Sequence, residues 1–275
     1  MDLPPFASTL RDIPALRPYP ELPTSTRHPQ FRHSSFVIPP MLLSQVLAEL
    51  KKKGKEQTRK TYARHGIDIP MFGVSVADLK IIAKKIKGDQ ALALELFDTG
   101  NYDALYLAGL VADGSQMTKK QLESWVKKST CEATCSYTVA WVATESEHAR
   151  ELAIKWINAK KPSTAISGWA TYSGIVATRP DAELDLVEIK QLLDRVVREI
   201  HSAPNKVRSL MNSFVISVGG YVKALTKQAK AAAHQIGKVE VDMGDTACKV
   251  PSAFEYIEKI ESMNRIGKKR KTMKC

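Results

Sequence analysis

Lysine is missing from the first 40 residues of a chain that carries 41 Lys and Arg in all, and those same 40 residues hold nine of its fourteen prolines. Proline has no N–H to give a helix and clashes with the preceding turn. Residues 1–40 are therefore expected to be a disordered, polyproline-like extension. Cysteine is scarce: the four in 275 residues are Cys131, Cys135, Cys248 and Cys275. So few exclude a disulfide framework and point to a reducing cytoplasm, nucleoid-associated in a bacterium or nuclear in a eukaryote. Cys131 and Cys135 share a helix face, but the two short pairs of a zinc site are lacking, so buried thiols and no metal are expected. No stretch approaches the roughly 20 apolar residues of a membrane span, and no basic-then-apolar leader opens the chain. Glycine-rich phosphate loops are absent as well. Gly219-Gly220 lacks dinucleotide-loop spacing and is expected to mark close helix packing or a helix break. Without a His-Glu-x-x-His motif either, neither a nucleotide cofactor nor a catalytic metal is expected.

What is present is helical periodicity, starting at Met41. Leu42, Leu43, Val46 and Leu50 recur at helical spacing and stop at Gly54. A second helix over 55–65 closes at Gly66. Ser75 with Asp78 reads as the start of a third, which carries Leu79, Ile82 and Ile86 before Gly88. Asp89 caps a fourth, Asn101 a fifth, and Thr118 with Gln121 forms a capping box before Leu122, Trp125 and Val126. Further helices are expected over 133–143, 146–158, 163–177, 184–201, 205–235 and 252–262. Residues 238–243 alternate as Lys-Val-Glu-Val-Asp-Met and suit a short extended piece. Many short amphipathic helices, paired every ~35–45 residues, give the expected fold class: all-α, an α-α superhelix of HEAT-like repeats with a concave basic groove. The alternative is a globular helical bundle. The expected domain occupies 41–275 and is monomeric.

The net charge is +12. A surplus of that size suits a polyanion, because each neutralised phosphate releases counterions. The cations cluster at Lys51–Lys60, at Lys84, Lys85 and Lys87, at Lys127 and Lys128, and in the closing run that includes Lys268, Lys269, Arg270, Lys271 and Lys274. Lysines in a last helical turn also favour the helix dipole. The closing run follows no helix turn of its own and is assigned to phosphate contacts, although a nuclear-import signal has the same composition. Trp125, Trp141, Trp156 and Trp169 recur across successive helices, with Tyr137 and Tyr172 nearby. Most such rings are core; a few can face a groove and stack on bases. Arg208 and Asn212 lie four apart on one helix face and are candidates for the same surface.

The segments Gly73–Lys87, Leu92–Phe97 and Tyr102–Leu110 resemble the N-terminal repeats of DNA alkylation repair enzymes, the HEAT-repeat alkylpurine DNA glycosylases. Asp103 stands where that family often has an acidic residue before an apolar helix. The closing residues Asp245–Pro251, Tyr256-Ile257 and Gly267–Thr272 resemble the end of a divergent branch. The resemblance implies a basic groove that holds duplex DNA, alkylated or branched. It also implies hydrolysis of the glycosidic bond of cationic N3- or N7-alkylpurines, with a carboxylate that stabilises the positive sugar and positions water, and aromatic faces that cradle it. No small-molecule cofactor is implied.

The chain departs from the family at the catalytic step. Active members carry a Trp-Asp-x-x-Asp-like stretch after the helix equivalent to that of Trp125; here the run is Cys131-Glu-Ala-Thr-Cys-Ser-Tyr137. Ser136 or Tyr137 falls at the aspartate's place, and Glu132 is the nearest carboxylate. Gly219-Gly220-Tyr221 falls where active members have a tryptophan. The expected catalytic candidates are thus Glu132, then Asp103. The expected nucleic-acid contacts are Trp125, Tyr137, Trp169, Tyr172, Arg208, Tyr221, Lys268, Lys269, Arg270 and Lys271. Three functions follow: a DNA-binding member with weak or absent glycosylase activity, an active alkylpurine glycosylase with a relocated carboxylate, or a protein-binding scaffold.

Overall fold

The computed structural model describes residues 41–274. The extension expected over 1–40 lies outside the described residues, as does Cys275. Residues 41–274 form one compact unit that is all-helical, with no strand among the described residues.

Three helices open it: α1 (Leu43–Lys53), α2 (Glu56–Arg64) and α3 (Val76–Lys85). Pairs follow: α4 (Gln90–Asp98) with α5 (Tyr102–Val111), α6 (Lys119–Lys128) with a π-helical turn (Thr134–Val139) that runs into α7 (Ala140–Glu145), and α8 (Ala149–Ile157) with α9 (Pro162–Thr178). The last are α10 (Leu186–Glu199) with α11 (Asn205–Tyr221), and α12 (Thr226–Ile236) with α13 (Ala253–Ser262). The first members begin about thirty residues apart and end about forty apart, so the early repeats are tighter than the expected spacing.

Local signals set the helix starts. Ser75 Oγ accepts the Asp78 N–H, Asp89 accepts that of Leu92, and Asn101 accepts those of Asp103 and Ala104. Thr118 and Gln121 form the reciprocal capping box. The helix expected over 205–235 is instead broken at Val222. A Cβ on Gly219 would lie 2.5 Å from the Ile257 side chain, and one on Gly220 would lie 2.9 Å from Ile260. The two glycines therefore let α13 lie directly on the end of α11, and Thr226 Oγ1 donates back to the Gly219 carbonyl to close the break.

The second members, α5, π turn–α7, α9, α11 and α13, pack side by side in chain order. In α9 every residue from Ala165 to Ala177 is buried. The first members are joined by ion pairs at their exposed faces: Lys128–Asp98 between α6 and α4, Lys119–Glu151 and Lys155–Glu123 between α6 and α8, and Arg150–Glu188 between α8 and α10. Part of the basic clustering is thus spent in holding repeats together, as are Lys53 on Asp78 and Lys85 on Glu49. Residues 238–250 run from the start of α11, where Asn205 bonds Asp242, to the Arg64 carbonyl near Gly244, with Val239 buried between exposed Lys238 and Glu240.

Candidate nucleic-acid interface

The two carboxylates expected to carry chemistry sit in different surroundings. Asp103, in the first turn of α5, is fully buried. Its Oδ2 accepts the backbone N–H groups of Phe72 at 2.6 Å and Gly73 at 3.0 Å, and its Oδ1 accepts that of Val74 at 2.8 Å. Burial pushes its carboxyl up from the ordinary range, against the pull of those N–H donors. Gly73 has φ +83°, and a Cβ there would strike the Arg59 side chain at 2.4 Å, so only glycine threads this loop. Asp103 is a clamp on residues 72–74, with no face left for a sugar. This corrects its assignment as a catalytic candidate.

Glu132 precedes the π-helical turn. That turn replaces α-helical bonding where the side chains of Thr134 and Ser136 donate to the Cys131 and Glu132 carbonyls, while Thr138 Oγ1 reaches the Leu105 carbonyl on α5. A π turn shifts the helical register, so the run Cys131–Tyr137 does not present its side chains as an α-helix would. Cys131 and Cys135 are buried, and burial pushes the Cys135 thiol up to about 12. Glu132 keeps a third of its side chain exposed, with its Oε2 3.5 Å from Lys206 Nζ. Burial raises its carboxyl, and Lys206 partly opposes the rise.

The aromatic cradle is not formed by the rings expected to form it. Trp125 is buried and stacks on Phe97 with ring centroids 3.9 Å apart. Trp169 and Tyr172 are buried against Phe214. The Tyr172 hydroxyl donates to Glu188 at 2.5 Å, and burial together with that carboxylate pushes the phenol up. All three rings hold the array together, which corrects their expected role as nucleic-acid contacts. Tyr137 is half-buried and stacks on Trp141, and Tyr221 is half-buried at the end of α11.

Arg208 is half-buried and engaged by backbone. Its guanidinium donates to the backbone carbonyls of Ala203 and Glu240, and Asn212 Nδ2 donates to that of Pro251. Together they anchor both ends of the 238–251 segment. Arg208 is therefore corrected from a phosphate contact to a loop anchor.

The closing basic run divides in two. Its backbone crosses the C-terminal ends of the second-row helices in turn. The Gly267 N–H bonds the Gly220 carbonyl of α11, and the Arg270 N–H bonds the Ala177 carbonyl of α9. Lys269 Nζ donates to the Val176 carbonyl at 2.8 Å and pairs with Asp181. Lys274 Nζ reaches the Ala112 carbonyl beyond α5 and pairs with Glu145 at the end of α7. Met273 is buried over Gly174. Cations and N–H donors at helix C-termini satisfy free carbonyls and the negative dipole end. Lys269 thus acts on helix ends, contrary to its assignment to phosphate. Lys268 and Lys271 are exposed and Arg270 is half-buried.

Comparison with known proteins gives this architecture a family. The DNA alkylation repair enzyme model matches residues 46–234. The chain belongs to that family. An uncharacterized protein of Listeria innocua is 33% identical over 81% of this chain and 98% of its own length, and one of Listeria monocytogenes is 30% identical over 80% and 98%. A solved structure with TM-score 0.79 and 35% identity spans 86% of this chain and all of its own. That structure is described as a new family of proteins related to the HEAT-like repeat DNA glycosylases with affinity for branched DNA structures. The fold of this chain is the HEAT-like repeat fold of that group.

Within the alkylation repair family, two features here escaped sequence reasoning. Lys206 faces Glu132 although 74 positions separate them in the chain, with no local pattern to pair them. The strap over the helix ends is equally non-local. Its only sequence signal was a run of cations with no helix of its own to cap.

Proposed function

We propose that this chain is a DNA-binding member of the alkylation repair family that recognises branched or otherwise unusually shaped duplex DNA, with weak or absent glycosylase activity. The observation that carries this reading is the engagement of both candidate carboxylates: Asp103 by three backbone N–H groups and Glu132 by Lys206. A glycosylase needs a carboxylate available to a developing positive sugar. Support for the DNA partner comes from the net charge of +12, from family membership, and from the affinity for branched DNA described for the structural relative.

Fluorescence anisotropy with a four-way junction and a linear duplex of the same arm sequence, across a salt series, tests it. Tighter binding to the junction, falling steeply with salt, is expected. Equal affinity for both, or affinity indifferent to salt, would refute it.

A second reading has one observation in its favour. Glu132 is the raised, part-exposed carboxylate beside the π turn, and π turns recur at functional sites. In that reading Lys206 swings away on binding and Glu132 stabilises the sugar cation.

A further inference from the structure

A cleft of about 510 Å³ opens between α6 and α8 beside the first turn of α9. Its walls carry Lys120, Lys127, Lys155 and Lys161, together with Glu123 and Trp156, and Glu151 on α8 also acts on Lys155. Glu123 is already paired with Lys155 at 2.7 Å. Lys161 Nζ leans on the Lys127 carbonyl at 3.4 Å. Among the described residues no carboxylate lies within ion-pairing distance of Lys120 or Lys127, and both are exposed.

The ordinary reasons for lysines on a helix account for part of this group and leave Lys120 unexplained. Lys127 stands in the last turn of α6, where a cation suits the dipole. Lys120 stands in the first turn of the same helix, where a cation opposes it, and that turn has no acidic residue. Lys119 beside it is offset by Glu151; Lys120 is not. The α9 helix adds to the same positive field. It has 17 residues, starts at Pro162, and no side chain caps its N-terminus. The Trp156 side chain, 1% exposed and with no acceptor for its Nε1–H, lies against the cleft and supplies no anionic group to it.

We propose that this cleft holds a backbone phosphate of a second DNA arm. The inference rests on the DNA-binding reading above and extends it. The cleft lies between first-row helices, whereas Glu132, Lys206 and the strap belong to the second row. A linear duplex presents one arm, and a branched DNA presents arms that diverge. Lys120 and Lys127 on the first row, with Lys268 and Lys271 on the strap over the second, give the branched form an extra set of phosphate contacts.

The test is the double substitution Lys120→Gln with Lys127→Gln, both exposed and outside the core. Junction affinity is expected to fall about 5- to 10-fold, with the salt slope reduced by roughly 1–2 phosphates, while linear-duplex affinity holds. No change on either DNA, or an equal loss on both, would overturn the second-arm site. A separate arm uses inorganic pyrophosphate and the indole ¹⁵N–H spectrum, with Trp156→Phe for assignment. The Trp156 resonance is expected to shift on titration, and the double substitution to abolish the shift. An unmoved Trp156 resonance would overturn the anion site itself. If the parent protein shows no junction preference but this shift is present, the DNA reading has failed and the anion site stands.

Discussion

Glu132 Oε2 stands 3.5 Å from Lys206 Nζ, joining the two elements that flank α9. The pair does not bring the glutamate to an ordinary carboxylate's acidity, because burial outweighs the lysine and raises the carboxyl above 4.5. A raised acid holds its proton in the fold at pH values where the unfolded chain has lost it. The fold therefore loses stability as pH climbs from 4.5 through the raised value, and the loss persists above it. In Glu132→Gln this pH-dependent loss is absent. Denaturant unfolding of parent and variant from pH 4 to 8 is expected to show the parent losing ground to the variant as pH rises. A parent that gains on the variant with rising pH would mean that Lys206 dominates.

Asp103 offers a sharper energetic test. An amide in its place keeps one acceptor oxygen and turns an NH₂ toward N–H donors. Hydrogen bonds to a buried charge contribute about 1.5–3 kcal/mol each, and a stranded buried donor costs about 1–3 kcal/mol. Asp103→Asn is expected to lower unfolding free energy by about 2–4 kcal/mol, read from the shift in urea midpoint at unchanged slope. A loss below ~0.5 kcal/mol would show that the 72–74 loop does not depend on the clamp.

The closing basic run should separate into two behaviours. Lys269→Ala removes a helix-end contact and a partly buried pair with Asp181, and should cost about 1–2 kcal/mol of stability while leaving the salt slope of DNA binding unchanged. The double variant Lys268→Ala with Lys271→Ala should do the reverse: an unaltered melting temperature, and a weaker, less salt-sensitive DNA complex. Reversed results would show that the run meets DNA through Lys269.

Helix starts were readable because a cap and its N–H lie within three residues of each other. Ser75 with Asp78, and Thr118 with Gln121, are examples. The break at Val222 was less readable: Gly219-Gly220 announced a close contact, but Ile257 and Ile260, which make it, lie on another helix. The π turn combines local bonds from Thr134 and Ser136 with Thr138 reaching the Leu105 carbonyl on α5, and that last partner is not encoded in residues 131–139. Asp103 was placed correctly at the head of an apolar helix, yet its role depends on donors 29 to 31 residues earlier. Trp125, Trp169 and Tyr172 failed as groove residues for a related reason. Periodicity puts a ring on a face, and only the neighbouring repeat decides whether that face is covered. Family membership was readable from local segments, while the fate of each candidate site residue turned on long-range contacts.

DNA binding with weak or absent hydrolysis is checked on the alkylated substrate itself. Duplex DNA carrying N7-methylguanine is incubated with excess protein under conditions where anisotropy shows the DNA to be bound, and released base is followed against protein-free DNA, with Glu132→Gln in parallel. Release at or close to the spontaneous rate is expected from parent and variant alike. Release well above that rate by the parent, lost in Glu132→Gln, would contradict that expectation and establish Glu132 as the relocated catalytic carboxylate.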